Sequence, residues 1–171
     1  MDKTGSTVSF KRFALALYRS EGVADACLHL QNRHDLDVNL VLFAAFVGAE
    51  RRQRLTTSSL EDARARVDAW HREVVRPLRA VRQRLKTGPA PAPNEITADL
   101  RRRLQQVEID AELIELDQLG ALIPVLEPVP ASGSVTECAA AAIESVIKTY
   151  THTAFDDQDR RAINTIARAA A

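Results

Sequence analysis

Apolar residues recur every three or four positions through most of the chain, which is the spacing of one face of an α-helix. Residues 8–19 and 23–33 each show this spacing and predict a first and a second helix. Asp37 then precedes the run NLVLFAAFVG at residues 39–48, which is apolar nearly all round. We therefore predict that Asp37 caps a third helix and that this helix lies at the centre of the fold.

Two long antiparallel helices are predicted next. The fourth helix begins after a turn at residues 55–59, with Thr57, Ser58 or Ser59 as its cap. The apolar seam of this helix consists of Val67, Trp70, Val74, Leu78, Val81 and Leu85. Pro77 lies inside the pattern, so we expect a kink near Glu73 or, alternatively, a break into two helices. The Pro-rich loop at residues 87–93 ends it, and apolar positions from Ile96 to Ile114 predict the returning helix.

Complementary charges follow these two helices. The basic stripe consists of Arg72, Arg76 and Arg79, and the acidic stripe of Glu108, Glu112 and Glu115. Reversal of the chain direction should bring the two stripes together. Residues 1–87 hold 16 Lys/Arg and 10 Asp/Glu, while residues 88–171 hold 7 and 13, so the halves carry +6 and −6. Such halves can attract an outside partner, but we favour the interpretation that they face each other.

The rest of the chain completes an all-helical picture. Residues 120–135 form a Pro/Gly connector, and two Ala-rich helices follow, over residues 136–150 and from Asp156 or Asp157 onward. The length of 171 residues and the 46% hydrophobic content suit one folded unit. We predict an all-α, single-domain bundle of about six to seven helices over residues 1–171, built around the long antiparallel helical hairpin.

Other features narrow the class of protein. The longest apolar run, residues 40–49, is about half of what crosses a bilayer, and residues 1–7 lack the pattern of a signal peptide. Cys27 and Cys138 are the only cysteines, and neither has a metal-ligand spacing. We therefore expect a cytoplasmic protein without membrane insertion.

Three segments resemble the markers of a known family. They are FALALY at residues 13–18, ACLHLQ at residues 26–31 and DVNLVLF at residues 37–43. Together they are similar to an uncharacterised proteobacterial family of small helical proteins, over about the first half of the chain. The resemblance implies a bacterial source and no particular activity.

A first candidate site is the polar turn between the second and third helices, which gathers His29, His34, Asp35, Asp37 and Asn39. The candidate ligand-binding residues among them are His34, Asp37 and Asn39. Imidazole and carboxylate groups at such a turn can bind a metal or move protons. However, Asp37 is already explained as a cap, and no His-x-x-x-His or Glu-x-x-His pair occurs. We therefore predict no metal site and no cofactor.

A second candidate site lies on the fourth helix. Trp70, His71, Arg76 and Arg79 could clamp a carboxylate or phosphate ligand against the buried helix. The alternative, which we favour, places Trp70 in the core and gives both arginines to the acidic stripe.

A third candidate is the tip of the hairpin, where six cations gather beside the Pro-rich loop. They are Arg82, Arg84, Lys86, Arg101, Arg102 and Arg103. Such a tip attracts anions, but no aromatic residues interleave for base stacking, so nucleic acid is an unlikely partner. A solvated tip is the simpler interpretation.

Catalytic nucleophile motifs and phosphate-binding glycine loops are absent from the sequence. Enzyme activity stays an open question, because a helical enzyme can assemble its site from residues that are far apart in the sequence. Our leading hypothesis is a helical protein-interaction or regulatory module, self-associating through the Ala-rich helices or an exposed part of the seam, as in a homodimer. The alternative is a small-molecule- or metal-binding helical protein, including an enzyme, with a site near His34 and Asp37 or near Trp70 and Arg76.

Overall fold

A computed structural model describes residues 9–127 and 129–171, and its regular elements are helices throughout that part of the chain. The α-helices are α1 (Phe10–Tyr18), α2 (Val23–His34), α3 (Val38–Ala49), α4 (Thr57–Trp70), α5 (Arg76–Arg84), α6 (Glu95–Gly120), α7 (Val135–Tyr150) and α8 (Asp157–Ala170). A π-helical turn, His71–Val75, joins α4 to α5, and a 3-10 turn, Ile123–Val125, follows α6. Since α4, the π turn and α5 are continuous, seven helical rods result, and the predicted all-α class is confirmed.

The helix α3 lies at the centre of the bundle, as its composition predicts. Every residue from Asn39 to Ala49 is buried. The side chain of Asp37 caps the helix by accepting a hydrogen bond from the backbone N–H of Asn39, at 2.8 Å. A cap that satisfies a free amide at the helix start is the role predicted for this residue.

The Ala-rich helices pack inside the bundle. The helix α7 lies along α3, and α8 packs on α2 and α7. Close approach is required at Gly48, because a Cβ atom there would lie 2.5 Å from the carbonyl oxygen of Cys138 and 2.6 Å from the Cα of Ala139. Ala139 and Ala167 are fully buried. The small residues of these helices therefore bring helices of the same chain together.

The predicted cap of α4 is wrong. The cap is Thr56, rather than Thr57, Ser58 or Ser59, because Thr56 is extended and its hydroxyl accepts from the backbone N–H of Ser59. Pro77 does not split the rod, since it occupies the first turn of α5 directly after the π turn, and that turn includes Glu73, the position at which a kink is predicted. The wider turn takes up the proline, whose missing N–H removes one helical hydrogen bond.

The hairpin is the least enclosed part of the fold. The helix α5 packs on α6 and on the π turn, and none of its residues is fully buried. The helices α1 and α4 also contact α6, nearer its carboxyl end. Among the described residues, no helix combines the length and the apolarity that crossing a bilayer requires.

Candidate functional site

Three side chains from distant parts of the sequence meet at the amino end of α3. Asp37 caps α3, His71 begins the π turn, and Glu115 lies on α6. The Nδ1 atom of His71 lies 3.1 Å from Oε1 of Glu115 and 3.4 Å from Oδ2 of Asp37. We call these three residues the triad. The two carboxylates are 3% and 1% exposed, so the imidazole bridges two buried acids.

Asn39 holds both carboxylates of the triad. Its backbone N–H donates to Oδ1 of Asp37 at 2.8 Å, and its side-chain amide donates to Oε2 of Glu115, also at 2.8 Å. Asn39 thus holds one oxygen of each acid. The other oxygens, Oδ2 of Asp37 and Oε1 of Glu115, are the ones nearest Nδ1 of His71. The same amide contacts the carbonyl oxygen of Glu112 at 3.2 Å, which ties α3 to α6.

One oxygen of the triad is unsatisfied. Oδ2 of Asp37 is the single buried side-chain polar atom without a hydrogen-bond partner in the described residues. Burial raises the pKa of Asp37 to about 7, and the charge of Glu115 adds to this effect while His71 opposes it. Burial alone lowers the pKa of His71, but its hydrogen bond with Glu115 and the charge of Asp37 outweigh burial and raise it. The triad therefore favours a positive charge between its acids.

A cleft of about 460 Å³ opens above the triad, between α1 and α2 on one side and α5 and α6 on the other. Its walls carry apolar side chains that are at least 36% exposed, namely Leu15, Tyr18, Leu28 and Ile109. Its floor is the first turn of α3, with Asp37 and Asn39. Asp37 also borders a smaller polar pocket of about 190 Å³, which includes His71, Arg64 and Tyr150.

A network of four charged residues forms the polar wall of the cleft. Arg79 donates to Glu108 at 2.9 Å and to Glu112 at 2.6 Å, and Arg82 also donates to Glu108. Burial favours a higher pKa for Glu108, but the hydrogen bonds from Arg82 and Arg79 outweigh it and lower the pKa. Ion pairs within this wall hold its side chains in place, so Arg79 and Arg82 already have carboxylate partners without a ligand.

The predicted pairing of the two stripes holds for Arg79 and fails for its neighbours. Arg72 pairs with Asp68 on the preceding turn, at 2.7 Å, and with Glu73. Arg76 pairs with the exposed Asp35, at 2.9 Å. Glu115 turns instead to His71 and Asn39. The rotation of the helices brings only one arginine of the basic stripe to face the acids. Arg72 pairs within its own rod, and Arg76 pairs with Asp35 at the end of α2.

Trp70 is not a core residue, because its side chain is 38% exposed. Its indole N–H donates to the carbonyl oxygen of Ala111 at 3.0 Å, which fastens the end of α4 to α6. Trp70 and Arg76 do not line the cleft, whereas Asp37, Asn39 and Arg79 do.

His34 borders the smaller polar pocket together with Asp37 and His71, but its hydrogen bond is to a second cluster around Asp159, which is completely buried. Oδ1 of Asp159 lies 2.9 Å from Nε2 of His29 and 3.1 Å from Nε2 of His34. Its other oxygen accepts from Arg33 at 3.0 Å. Burial raises the pKa of Asp159, but its hydrogen bonds, with His29 first among them, outweigh burial and lower it. The cluster fastens α2 to α8.

The cations of the tip are partly paired. Arg82 belongs to the wall of the cleft, and Arg84 donates to the hydroxyl of Thr87 at 3.3 Å. Asp99 accepts from Arg102 at 2.9 Å and pairs with Arg103 at 3.2 Å, because i,i+3 and i,i+4 positions adjoin on a helix. Lys86 and Arg101 border a shallow pocket of about 130 Å³. The tip is therefore less charged than the six cations alone suggest.

Three residues of the triad, the cleft and the Asp159 cluster are not predicted as site residues from the sequence, namely Glu115, Tyr18 and Asp159. The sequence places Glu115 in the acidic stripe, and nothing near it in the chain marks it as a partner of Asn39. Asp159 begins the last helix in a capping box with Asp156, so its sequence signal is that of a cap.

The sequence profile of one family matches residues 9–119, and its description is "Protein of unknown function (DUF2390)". The match spans more than half of the chain, and the chain belongs to this family. It includes the three segments that carry the resemblance, together with the whole hairpin. No curated protein and no solved structure is significantly similar to the chain.

Proposed function

We propose that this family member binds a small organic molecule in the cleft between α1–α2 and α5–α6. The observation that supports this function is the combination of exposed apolar walls with two buried polar residues, Asp37 and Asn39, at the floor. A volume of about 460 Å³ is in the range of small-molecule sites, which are mostly apolar with a few converging polar groups.

The arrangement suits a ligand with an apolar body and one polar end group. The body would lie against Leu15, Leu28 and Ile109, which otherwise keep apolar surface in water. The end group would approach Asp37 and Asn39 on the floor. A hydrogen-bond donor or a cation fits best there, since the arginines of the wall already pair with Glu108 and Glu112.

The neutral solvatochromic dye Nile red tests the cleft directly. We expect saturable binding with a blue-shifted emission, because the dye would leave water for apolar walls. Leu28→Glu places a charge in the cleft and should weaken the affinity about tenfold, a loss of roughly 1.4 kcal/mol. Leu28 is 44% exposed, so the variant should fold.

Val107→Glu is the matched control, since Val107 is 49% exposed and lies outside the cleft. We expect this variant to bind the dye as the unchanged chain does. Equal weakening in both variants, or loss only in Val107→Glu, contradicts the proposal. Absence of saturable binding to the unchanged chain contradicts it as well.

A second candidate function is self-association through the outer face of α6. Four apolar residues that are 41–80% exposed follow one stripe along this helix, namely Ile96, Leu100, Val107 and Ile114. Arg103 and Asp110 flank the stripe on the same side. In an antiparallel pair of α6 helices, residues on the same flank face each other, so each Arg103 would meet Asp110 of the second copy. This complementarity favours a second copy of the chain as the occupant.

Sedimentation equilibrium tests self-association. We expect a monomer–dimer equilibrium that Leu100→Glu shifts at least tenfold toward monomer and that Leu28→Glu leaves unchanged. A strictly monomeric chain at all concentrations contradicts this candidate and leaves the cleft proposal unaffected.

Such binding or regulatory roles fit a bacterial cytoplasm. Both cysteines, Cys27 and Cys138, are buried free thiols, and thiols persist where the medium is reducing. We accordingly propose a cytoplasmic location for the protein.

A further inference from the structure

We propose that Asp37, His71 and Glu115 bind one divalent transition-metal cation, and that Asn39 positions the two carboxylates for it. The site lies beneath the cleft floor and involves no apolar wall residue. It shares Asp37 and Asn39 with the floor of the cleft, so the experiment below distinguishes loss of metal binding from loss of binding in the cleft.

The donor atoms have the spacing of a coordination sphere. One nitrogen and two oxygen donors, one from each residue of the triad, all lie within 4.8 Å of one another. Nδ1 of His71 is 3.1 Å from Oε1 of Glu115 and 3.4 Å from Oδ2 of Asp37. Ligands about 2.1 Å from a metal are about 3.0–3.4 Å apart in octahedral or tetrahedral geometry. A cation could therefore enter between these atoms with small movements of the side chains.

Asn39 supplies the outer support that metal sites require. Its two N–H donors hold Oδ1 of Asp37 and Oε2 of Glu115. Oε2 of Glu115 is the oxygen farther from Nδ1 of His71, at 3.5 Å against 3.1 Å for Oε1. Ligating carboxylates are commonly hydrogen-bonded in this way, and the outer partners orient them. Each acid thus has one oxygen that Asn39 does not hold, Oδ2 of Asp37 and Oε1 of Glu115, and these two oxygens would be monodentate ligands.

The unsatisfied oxygen of Asp37 is a second, independent sign of a missing partner. Asp37 is 3% exposed, and its Oδ2 has no hydrogen bond among the described residues. A buried polar atom without a hydrogen-bond partner costs free energy, because it has lost its hydration and gained no bond in exchange. A cation bonded to this oxygen removes that cost, and the capping role of Oδ1 continues unchanged.

The ligand types indicate the class of metal. One imidazole and two carboxylates suit Zn²⁺, Mn²⁺ or Fe²⁺ better than Ca²⁺ or Mg²⁺, which prefer oxygen ligands throughout. Three protein ligands leave coordination positions for water or for a ligand atom, as in catalytic sites. Asp37 borders both the cleft and the smaller polar pocket, so those positions are reachable from solvent.

The π turn places the imidazole of His71 beside the two acids. The turn spans His71–Val75 and follows Trp70, whose indole N–H donates to the carbonyl oxygen of Ala111 on α6. Such turns are frequent at functional sites because they reorient one side chain within a continuous helix. Here the side chain at the start of the turn is the one nitrogen donor of the proposed site.

Titration of the full chain with Zn²⁺ alone, after treatment with a chelator and dialysis, tests the proposal by calorimetry. We expect one Zn²⁺ per chain. Asp37→Asn keeps a capping side chain and should weaken Zn²⁺ binding about 100-fold, since loss even of an outer partner costs 10–100-fold. His71→Ala should do the same. Asp35→Asn, two residues away and 77% exposed in its side chain, is the control and should bind normally.

Thermal unfolding with and without Zn²⁺ provides a second measurement, which compares each variant with itself. Zn²⁺ should raise the melting temperature of the unchanged chain and of Asp35→Asn, but not that of Asp37→Asn. Absence of saturable Zn²⁺ binding to the unchanged chain overturns the inference and leaves a protonated His71 as the bridge between the acids. Equal Zn²⁺ affinity in Asp37→Asn, His71→Ala and the unchanged chain overturns it too. Leu28→Glu should retain Zn²⁺ binding, which separates this result from failure of the cleft.

Discussion

His71 and Glu115 are 44 positions apart in the sequence, and their side chains meet at 3.1 Å inside the protein. The contact joins the π turn to α6 at the place where α3 begins. It is a partly buried hydrogen bond between an imidazole and a carboxylate, and the side-chain amide of Asn39 donates a second hydrogen bond to the same carboxylate. The triad therefore links three separate segments of the fold, and one of its members, Asp37, also lines the floor of the cleft.

Replacement of Glu115 should destabilise the fold strongly. Glu115→Ala removes the partner of both His71 and Asn39 in a site that is 1% exposed, so we expect a loss of about 3 kcal/mol in the free energy of unfolding. Asp117→Ala is the control on the same helix, because the ion pair of Asp117 with Lys11 is exposed and should contribute less than about 0.5 kcal/mol. Urea unfolding in chelator-treated buffer measures both. Similar losses for the two variants would contradict a structural role of the triad.

The sequence predicts the elements that depend on local patterns. Asp37 precedes an apolar run and caps α3, as predicted, because a cap and its helix lie within a few residues of each other. The turn before α4 is predicted at residues 55–59, but its cap is Thr56 instead of Thr57, Ser58 or Ser59. Several adjacent hydroxyl residues can serve as caps, and the choice among them depends on which one is extended.

The triad could not be predicted in the same way. Which acid of α6 meets which base depends on the rotation of the two helices about their axes, and one residue of shift turns a side chain by about 100°. Arg79 therefore reaches Glu112, while Arg72 pairs locally with Asp68. The convergence of His29 and Asp159, which are 130 positions apart, likewise depends on tertiary packing alone.

The ion pairs of the cleft wall should differ in strength from those at the surface. Arg79 is 18% exposed in its side chain and bonds both Glu108 and Glu112. Arg79→Ala leaves two acids without their shared cation, and we expect a loss of about 2 kcal/mol in the free energy of unfolding. Arg76→Ala is the control, since its pair with Asp35 is exposed and should contribute at most about 0.5 kcal/mol.

Denaturant unfolding at low and high salt measures the two arginine variants. Salt screens exposed pairs more than buried ones, so the Arg79 contribution should persist at high ionic strength. A loss for Arg79→Ala that is no greater than the loss for Arg76→Ala would show that the wall is not held by its ion pairs.

Acid should weaken the contribution of the Asp159 cluster. The pKa of Asp159 is lowered in the folded protein, because its hydrogen bonds with His29, the backbone N–H of Asp156 and His34 outweigh burial. A carboxylate with a lowered folded pKa stabilises the fold above its unfolded pKa of about 4. That contribution disappears as the pH falls through the folded pKa.

The difference in unfolding free energy between the unchanged chain and Asp159→Asn should accordingly be greatest near neutral pH and should shrink below about pH 4. Urea unfolding over a series of pH values measures it. Asp157→Asn serves as the control, because Asp157 is exposed and shares the first turn of α8. A difference that grows with acid would contradict the assigned direction of the pKa shift.

Two glycines in helices should respond to alanine with opposite signs. At Gly48 the added Cβ would meet the carbonyl oxygen of Cys138 at 2.5 Å and the Cα of Ala139 at 2.6 Å. Backbone atoms of a packed helix do not yield easily, so we expect Gly48→Ala to lose about 3 kcal/mol. At Gly120 the Cβ would lie 3.6 Å from the ring of Phe10, an ordinary contact, and Gly120→Ala should gain about 0.5 kcal/mol from helix propensity. Thermal and urea unfolding of both variants measure the signs. A neutral Gly48→Ala would mean that α3 and α7 are not in the close contact on which the centre of the bundle depends.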